Sequence, residues 1–218
     1  MFRIIAVERE YGCGGGTIAR KLADRLGWKL WDQLLTEEIA SRAHVDCSTV
    51  ERLGEKLDSR FYRLAKIFWR GSYERSIPVD DSRFFDADCM VSMMESITAK
   101  IASQGDAVVV GRGAPYFFRE REDTFRVFFY APAEEKIRRL CELGESAESA
   151  QELVENVDRE RVAFCKHYFS ADWPTRALYH VMINTAMGDE QAIATVLDAM
   201  RRLDQNTALK TSGIRGVL

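Results

Sequence analysis

Short apolar runs alternate along the chain with longer stretches in which apolar and charged residues are interspersed. Residues 3–7 form such a run, typical of a strand that is buried on both faces of a parallel sheet. A glycine cluster follows, and between Thr17 and Leu26 the apolar residues recur at helical spacing with charges between them. Similar short runs predict further strands, at residues 28–31, 106–110, 125–130 and 179–183. Strands that alternate with helices in this way predict an α/β fold with a parallel sheet.

Between the second and third predicted strands lies a long segment, residues 33–104, that shows mainly helical spacing and no convincing strand. We interpret it as a helical insertion in the sheet. Helices are also expected at residues 133–143, 144–170 and 189–203, and the tail after Asn206 has a weak pattern typical of a fraying end. Ligands of parallel α/β sheets bind at the carboxyl ends of the strands, so we expect the functional residues there.

The glycine cluster between the first strand and the first helix is the clearest functional signal in the sequence. The run Gly12-Cys13-Gly14-Gly15-Gly16-Thr17 can turn with positive φ and direct several main-chain N–H groups at one point beside a helix N-terminus. This arrangement favours a bound phosphate. A glycine-rich turn without a ligand is the alternative. A dinucleotide loop of the form G-x-G-x-x-G is absent, because its third glycine would fall at Thr17 or Ala19.

The loop departs from the common pattern G-x-x-x-x-G-K-[ST], because Gly15 stands where the lysine is expected. That lysine neutralises the β and γ phosphates, so its absence removes much of the electrostatic contribution to catalysis. Another cation must therefore substitute for it, or turnover is slow. Arg9, directly after the first predicted strand, could reach the loop or pair with a nearby acid.

Composition narrows the function classes. The 218 residues are 46% hydrophobic, enough for a core, and the 31 basic and 34 acidic side chains argue against general nucleic-acid binding. The apolar runs are far shorter than a membrane-spanning helix, which needs about 20 residues. The 5 cysteines never form a C-x-x-C pair, which disfavours a disulfide framework and a structural zinc site. A cytoplasmic location is therefore expected.

Several motifs, in chain order, resemble those of the cytidylate kinase-like family, a branch of the P-loop nucleoside monophosphate kinases. They are Arg9-Glu10-Tyr11-Gly12 with the glycines that follow, Trp31-Asp32 with Leu34-Leu35, Val110-Gly111-Arg112-Gly113-Ala114, and Tyr179 to Asn184-Thr185. The resemblance implies the P-loop NTPase fold, a three-layer α/β sandwich. It further implies a five-stranded parallel sheet of order 2-3-1-4-5, a helical acceptor-binding insertion and a lid.

On this resemblance the chain is a single P-loop kinase-like domain over residues 1–218. Its parts are the core, residues 1–32, 105–143 and 178–205, the helical insertion, residues 33–104, and the lid region, residues 144–177. In this branch an arginine usually follows the glycines directly, but here that position is Gly16. Both cations that such loops carry are therefore absent.

The resemblance also points to residues that could supply the missing charge and bind the substrates. Arg112 matches an arginine that binds the acceptor phosphate, and Arg159 and Arg161 resemble lid arginines that close over the transferring phosphoryl group. Asp32 could bind an acceptor sugar, orient an arginine, or cap a helix. Thr17 is the best hydroxyl of the loop for Mg²⁺. Salt bridges or a charged helix face are the alternative for the arginines.

The expected function is that of an ATP-dependent phosphotransferase that uses Mg²⁺, with cytidylate-like nucleoside monophosphate kinase activity. Two alternatives stay open. One is a nucleotide-binding regulatory or sensor protein with a degenerate P-loop and little catalysis. The other is a kinase for a non-nucleotide metabolite. The expected partner is a small-molecule nucleotide substrate, with no nucleic acid and no membrane, and a homodimer is left open.

Overall fold

Five parallel strands form one sheet in the computed structural model, which describes residues 1–32 and 87–213 and, within them, the side chains of residues 1–32 and 92–205. In chain order the strands are β1 (Ile4–Arg9), β2 (Lys29–Trp31), β3 (Ala107–Val110), β4 (Thr124–Tyr130) and β5 (Val181–Asn184). Their order across the sheet is β2-β3-β1-β4-β5, and every neighbouring pair is parallel. The expected fold class and strand order are therefore confirmed.

Helices connect the strands on both faces of the sheet. They are α1 (Gly15–Leu26), α2 (Ala87–Gln104), α3 (Ala114–Phe117), α4 (Ala133–Glu142), α5 (Ala147–Phe169) and α6 (Asp189–Gly213). Short 3₁₀ turns lie at Arg176–Leu178 and Thr185–Met187. The sequence pattern did not predict α3, and α6 continues past the expected end at residue 203. Within the described ranges, none of the helices combines the length and the apolar character that crossing a membrane requires.

The predicted insertion, residues 33–104, lies outside the described residues except for its last part, α2. This helix packs directly on the sheet, where its buried side chains contact those of β1 and β3. The residues of α2 that do so are Met93, Met94, Ile97 and Ile101. The predicted role of residues 33–86 in binding an acceptor stays a prediction.

Alternate side chains of β1 point into two separate core layers, as the geometry of a strand requires. Ile5 and Val7 pack in the layer that includes α1 and α6, whereas Ile4 and Ala6 pack in the layer that includes α2. Both faces of β1 are buried, as expected for a parallel sheet covered on both sides. Because these strands are parallel neighbours, the carboxyl ends of β1, β2 and β3 meet at one edge of the sheet, beside the start of α1.

Candidate functional site

The loop that joins β1 to α1 is shaped by glycines in the left-handed region. Gly12 has φ 74° and Gly14 has φ 77°, and Gly14 is the N-cap residue of α1. Other residues adopt this region only at a cost in free energy. Gly14 has no side chain that could cap α1, so the first N–H groups of the helix and the positive end of its dipole face the loop.

Close packing by α4 also leaves little room for a side chain at either position. A Cβ atom on Gly12 would lie 3.2 Å from Leu140 Cδ1 and 3.2 Å from Lys136 Cβ. A Cβ atom on Gly14 would collide with the guanidinium of Arg139. The helix α4 therefore presses against the outer side of the loop and fixes its path.

Arg139 and Thr185 hold the loop by the carbonyl of Cys13. Arg139 donates from Nη1 to this oxygen, and the Thr185 hydroxyl donates to it at 2.6 Å. Arg139 also donates from Nη1 to Thr185 Oγ1 at 3.1 Å and from Nη2 to Thr185 O at 3.0 Å. Hydrogen bonds from Arg138 and then Arg139 lower the pKa of Glu135 to about 2. Glu135 therefore stays charged and accepts from Arg139 Nε at 2.9 Å.

A carboxylate of α5 binds the other side of the loop. Asp158 Oδ1 accepts from the main-chain N–H of Tyr11 at 2.8 Å and from Arg161 Nη1 at 3.0 Å. Lys136 Nζ donates to Asp158 Oδ2 at 3.3 Å and to Glu10 Oε2 at 3.0 Å. Burial lowers the pKa of Lys136, but the two carboxylates outweigh burial and leave that pKa raised. The loop is therefore fastened to α5 through charged groups.

The two arginines predicted for the lid occupy different environments. Arg161 is largely buried and donates from Nη1 to the main-chain oxygen of Arg9 at 2.7 Å. Arg159 is exposed, and its Nη1 lies 3.4 Å from Asn156 Oδ1 on the same helix. The structure thus brings Arg161 to the loop and places Arg159 at the surface.

Arg112 and Asp32 meet at the carboxyl ends of β3 and β2. Arg112 Nη1 donates to Asp32 O at 3.1 Å and lies 3.5 Å from Asp32 Oδ1, and both side chains are buried. Burial lowers the pKa of Arg112 to about 10 although Asp32 acts in the opposite direction. Of the roles predicted for Asp32, orienting an arginine is the one that this contact supports.

The turn around Arg112 is left-handed throughout. Arg112 has φ 53°, and its neighbours Gly111 and Gly113 have φ 69° and 73°. A Cβ atom on Gly113 would lie 2.7 Å from the ring of Phe169, so α5 also packs against this turn. The backbone at Arg112 is therefore strained and is held by its surroundings.

Arg9, the last residue of β1, lies beneath the loop. Its side chain is buried, with Nη1 3.6 Å from Glu8 Oε1. Its stem packs on Gly15, and its guanidinium lies against Gly111. Burial lowers the pKa of Arg9, and the neighbouring charge of Arg161 lowers it further. A third guanidinium therefore joins those of Arg112 and Arg161 at this edge.

The residues available for a metal ion are few. Thr17 is exposed in the first turn of α1. Among residues 1–32 and 87–213, no group of three or more His, Cys, Asp and Glu side chains could hold a metal ion. The Thr17 hydroxyl, together with phosphate oxygens and water, stays the predicted ligand set for a Mg²⁺ ion at the loop.

Several residues of the site were not predicted from the sequence. They are Lys136, Arg139, Asp158 and Thr185. A signal for three of them does exist, because α4, which carries Lys136 and Arg139, follows β4, and Thr185 follows β5. The carboxyl ends of these strands lie at the same edge as the glycine loop. Which side chains of α4 reach the loop is decided by packing, which the sequence pattern does not reveal.

Comparisons with known proteins agree with this architecture. A sequence model of the cytidylate kinase-like family matches residues 4–187. No curated protein matches the sequence. A solved structure described as an uncharacterized protein from Eubacterium ventriosum is 18% identical, with TM-score 0.64, over 89% of this chain and 96% of that chain. A gluconokinase from Sinorhizobium meliloti is 14% identical, with TM-score 0.51, over 95% of this chain and 96% of that chain. These structures share the fold.

Proposed function

This chain belongs to the cytidylate kinase-like family, and we propose that it is an ATP-dependent phosphotransferase for a nucleoside monophosphate or a similar small phosphorylated acceptor. The observation that carries the proposal is the glycine loop between β1 and α1. Gly12 and Gly14 are left-handed and closely packed, and Gly14 begins α1 without a side-chain cap, so the first N–H groups of α1 are left for a ligand. That arrangement suits the phosphates of a nucleotide.

On the donor side, the loop wraps the phosphates of ATP. The main-chain N–H groups would come from Gly12, Cys13, Gly14, Gly15 and Gly16. Thr17 would offer its exposed hydroxyl to Mg²⁺, which neutralises charge between the β and γ phosphates when it is bound. The anchoring of the Cys13 carbonyl by Arg139 and Thr185 keeps the loop in one conformation before ATP arrives. A preorganised loop loses less entropy on binding.

On the acceptor side, Arg112 binds the phosphate and Asp32 orients Arg112. A guanidinium can bind a phosphate with two parallel hydrogen bonds, and its charge is permanent. Arg112 occupies the left-handed region, where a residue other than glycine costs about 1–2 kcal/mol. Such strain is concentrated at binding sites. Its contact with Asp32 at the carboxyl edge of the sheet supports this role.

Phosphoryl transfer at this site would rest on positioning and electrostatics, without a covalent intermediate. Arg161 contributes its charge from its place beside Arg9. Arg159 lies at the surface although Asp158 and Arg161 already contact the loop, so its predicted role requires α5 to rearrange around Arg159. Closure of that kind would exclude water from the transferring phosphoryl group.

A coupled assay of ADP release tests the proposal. The purified protein is incubated with ATP, Mg²⁺ and one acceptor at a time, with cytidine monophosphate first, then other nucleoside monophosphates, then sugars and organic acids. ADP that forms only when a nucleoside monophosphate is present supports the proposal. ADP release that depends on a non-nucleotide acceptor instead would identify a kinase of another substrate class. The same assay on Arg112→Lys shows whether Arg112 serves the acceptor.

A regulatory or sensor protein that binds nucleotide without turnover is the second candidate. It is favoured by the absence of charge at both Gly15 and Gly16, the positions where loops of this type carry cations. Saturable binding of ATP with no acceptor-dependent ADP would support this candidate. The two functions share the glycine loop and differ in whether the arginines complete a catalytic site.

A further inference from the structure

Two departures of the loop from the common phosphate-binding pattern fall on residues that touch each other. When G-x-x-x-x-G-K-[ST] is placed with Gly14 as its second glycine, Gly15 takes the position of the lysine. The first glycine of the pattern then falls on Arg9. A cation is thus missing at one position of the loop and present at another.

The stem of Arg9 fills the space into which a side chain at position 15 would begin. A Cβ atom on Gly15 would lie 2.9 Å from Arg9 Cβ, 3.2 Å from Arg9 Cγ and 3.2 Å from Phe129 Cβ. Cβ atoms are fixed to the backbone, so side-chain rotation cannot relieve the two contacts with Arg9 Cβ and Phe129 Cβ. Arginine at position 9 and lysine at position 15 therefore exclude each other without a shift of the main chain.

The main chain of Arg9 is held on both sides. Its N–H donates to Glu8 Oε1 at 3.1 Å, and its carbonyl accepts from Arg161 Nη1 at 2.7 Å. The stem consequently leaves β1 in a fixed direction, beneath the first turn of α1. Its guanidinium ends against Gly111, which has no side chain to block it and has φ 69°.

Keeping a guanidinium at this place is costly, because burial of a charge is unfavourable and other cations are near. Burial and then the charge of Arg161 lower the pKa of Arg9, and the charge of Arg9 lowers that of Arg112. Glu8 and Asp32 compensate part of this cost. Three arginines therefore converge at the carboxyl ends of β1 and β3, where the proposed phosphates would bind.

We propose that Arg9 replaces the missing lysine: it brings the positive charge to the loop from the end of β1 instead of from α1, and its stem is the reason for glycine at position 15. This inference rests on the proposed binding of ATP. Arg9 is a positioning residue here, since its charge lies beneath the loop and acts on the phosphates through the field at the loop.

The test compares the affinity for MgATP among substitutions at the two positions, measured by isothermal titration, with thermal melting to report folding. The charge-removing substitution Arg9→Met is expected to weaken MgATP binding about ten- to hundredfold, because a nearby charge interacts strongly with phosphates in a partly buried site. Arg9→Lys keeps the charge and is expected to retain most of the affinity. A merely structural role would make both substitutions equivalent once both proteins are folded.

Substitutions that move the positive charge from position 9 to position 15 test the inference more stringently. Gly15→Lys alone is expected to lower the melting temperature strongly, because its Cβ meets those of Arg9 and Phe129. The double variant Arg9→Gly with Gly15→Lys restores the common pattern at both positions. It is expected to melt well above Gly15→Lys and to bind MgATP at least about tenfold more tightly than Arg9→Gly alone.

Arg126→Met is the matched control, because Arg126 is a half-buried arginine of β4 that donates to Leu178 O at 2.8 Å, away from the loop. Its affinity for MgATP is expected to equal that of the wild type.

Equal affinity of Arg9→Met and the wild type would overturn the inference. If Arg9→Met does not fold, the double variant provides the test instead. The inference is overturned if the double variant is unfolded or binds MgATP no more tightly than Arg9→Gly. If the wild type itself binds no MgATP, the proposed function fails, whereas melting still reports whether positions 9 and 15 are coupled.

Discussion

Arg161 donates from Nη1 to the main-chain oxygen of Arg9 at 2.7 Å and thereby fastens α5 to the last residue of β1. The same nitrogen lies 3.0 Å from Asp158 Oδ1, which also accepts from the N–H of Tyr11. The helix expected to belong to a lid is therefore joined to the glycine loop in this structure. Any opening of α5 near Arg161 must break these hydrogen bonds.

Substitution of the two arginines of α5 by alanine should affect stability differently. Arg161→Ala removes hydrogen bonds to a buried carbonyl and to a carboxylate, so we expect a loss of about 1–3 kcal/mol in the free energy of unfolding. Arg159→Ala changes an exposed side chain, and we expect a change within about 0.5 kcal/mol. Urea denaturation measures both. Equal effects of the two substitutions would contradict the different environments of these arginines.

Substitution of the glycines that flank the two ends of α1 should separate backbone strain from close packing. Gly14→Ala places a Cβ atom in the left-handed region and against the guanidinium of Arg139, so it should destabilise the protein and abolish MgATP binding. Gly27→Ala is the control, because Gly27 has φ 65° and open space around its Cα. This substitution should lower the free energy of unfolding only by the backbone strain, about 1–2 kcal/mol. Melting and nucleotide titration of both variants provide the comparison. Retained MgATP binding by Gly14→Ala would count against the loop as the phosphate site.

The thiol of Cys13 should be inert in the folded protein. Burial raises the pKa of Cys13 to about 12, and the thiol donates to Phe129 O at 3.6 Å. The raised pKa favours the neutral form, so at pH 8 the thiol is not ionised to the reactive thiolate. Mass spectrometry after iodoacetamide treatment at pH 8 should find Cys13 unmodified in the native protein and modified in urea. Rapid native labelling would show that the loop opens or that the thiol is ionised.

Replacing Arg112 by lysine should separate the acceptor site from the donor site. Lysine keeps the charge but loses the planar fork that binds a phosphate through two hydrogen bonds, so the KM for the acceptor should rise about tenfold or more. The affinity for MgATP should stay unchanged. The exposed Arg119 supplies the control substitution Arg119→Lys, which should alter neither quantity. An unchanged acceptor KM in Arg112→Lys would remove Arg112 from the acceptor site.

The apolar runs of the sequence located all the strands of the described sheet, because the central strands are buried and the partly exposed edge strands β2 and β5 are also mostly apolar. The strand order came from the resemblance carried by the motifs at Arg9, Asp32, Arg112 and Thr185. The meeting of Arg112 with Asp32 followed the general rule that parallel strands end at one edge. The short helix α3 was missed, since it spans only Ala114–Phe117 and shows no helical periodicity.

The contacts of the loop were harder to predict than the loop itself. Lys136, Arg139 and Asp158 approach it from α4 and α5, so their positions depend on how these helices pack on the sheet. Arg159 and Arg161 have the same residue type and lie two positions apart. Positions two apart on a helix point about 200° from each other, so only one of the two can face the loop, and the sequence pattern does not fix which face of α5 packs there.

Titration of MgATP into the wild-type protein tests the central claim most directly, since the loop must bind a triphosphate although glycine stands in place of the lysine. We expect saturable binding with one site per chain, weakened by added salt because charged groups bind the phosphates. An absence of saturable binding at millimolar MgATP, with the protein shown to be folded in the same sample, would contradict it.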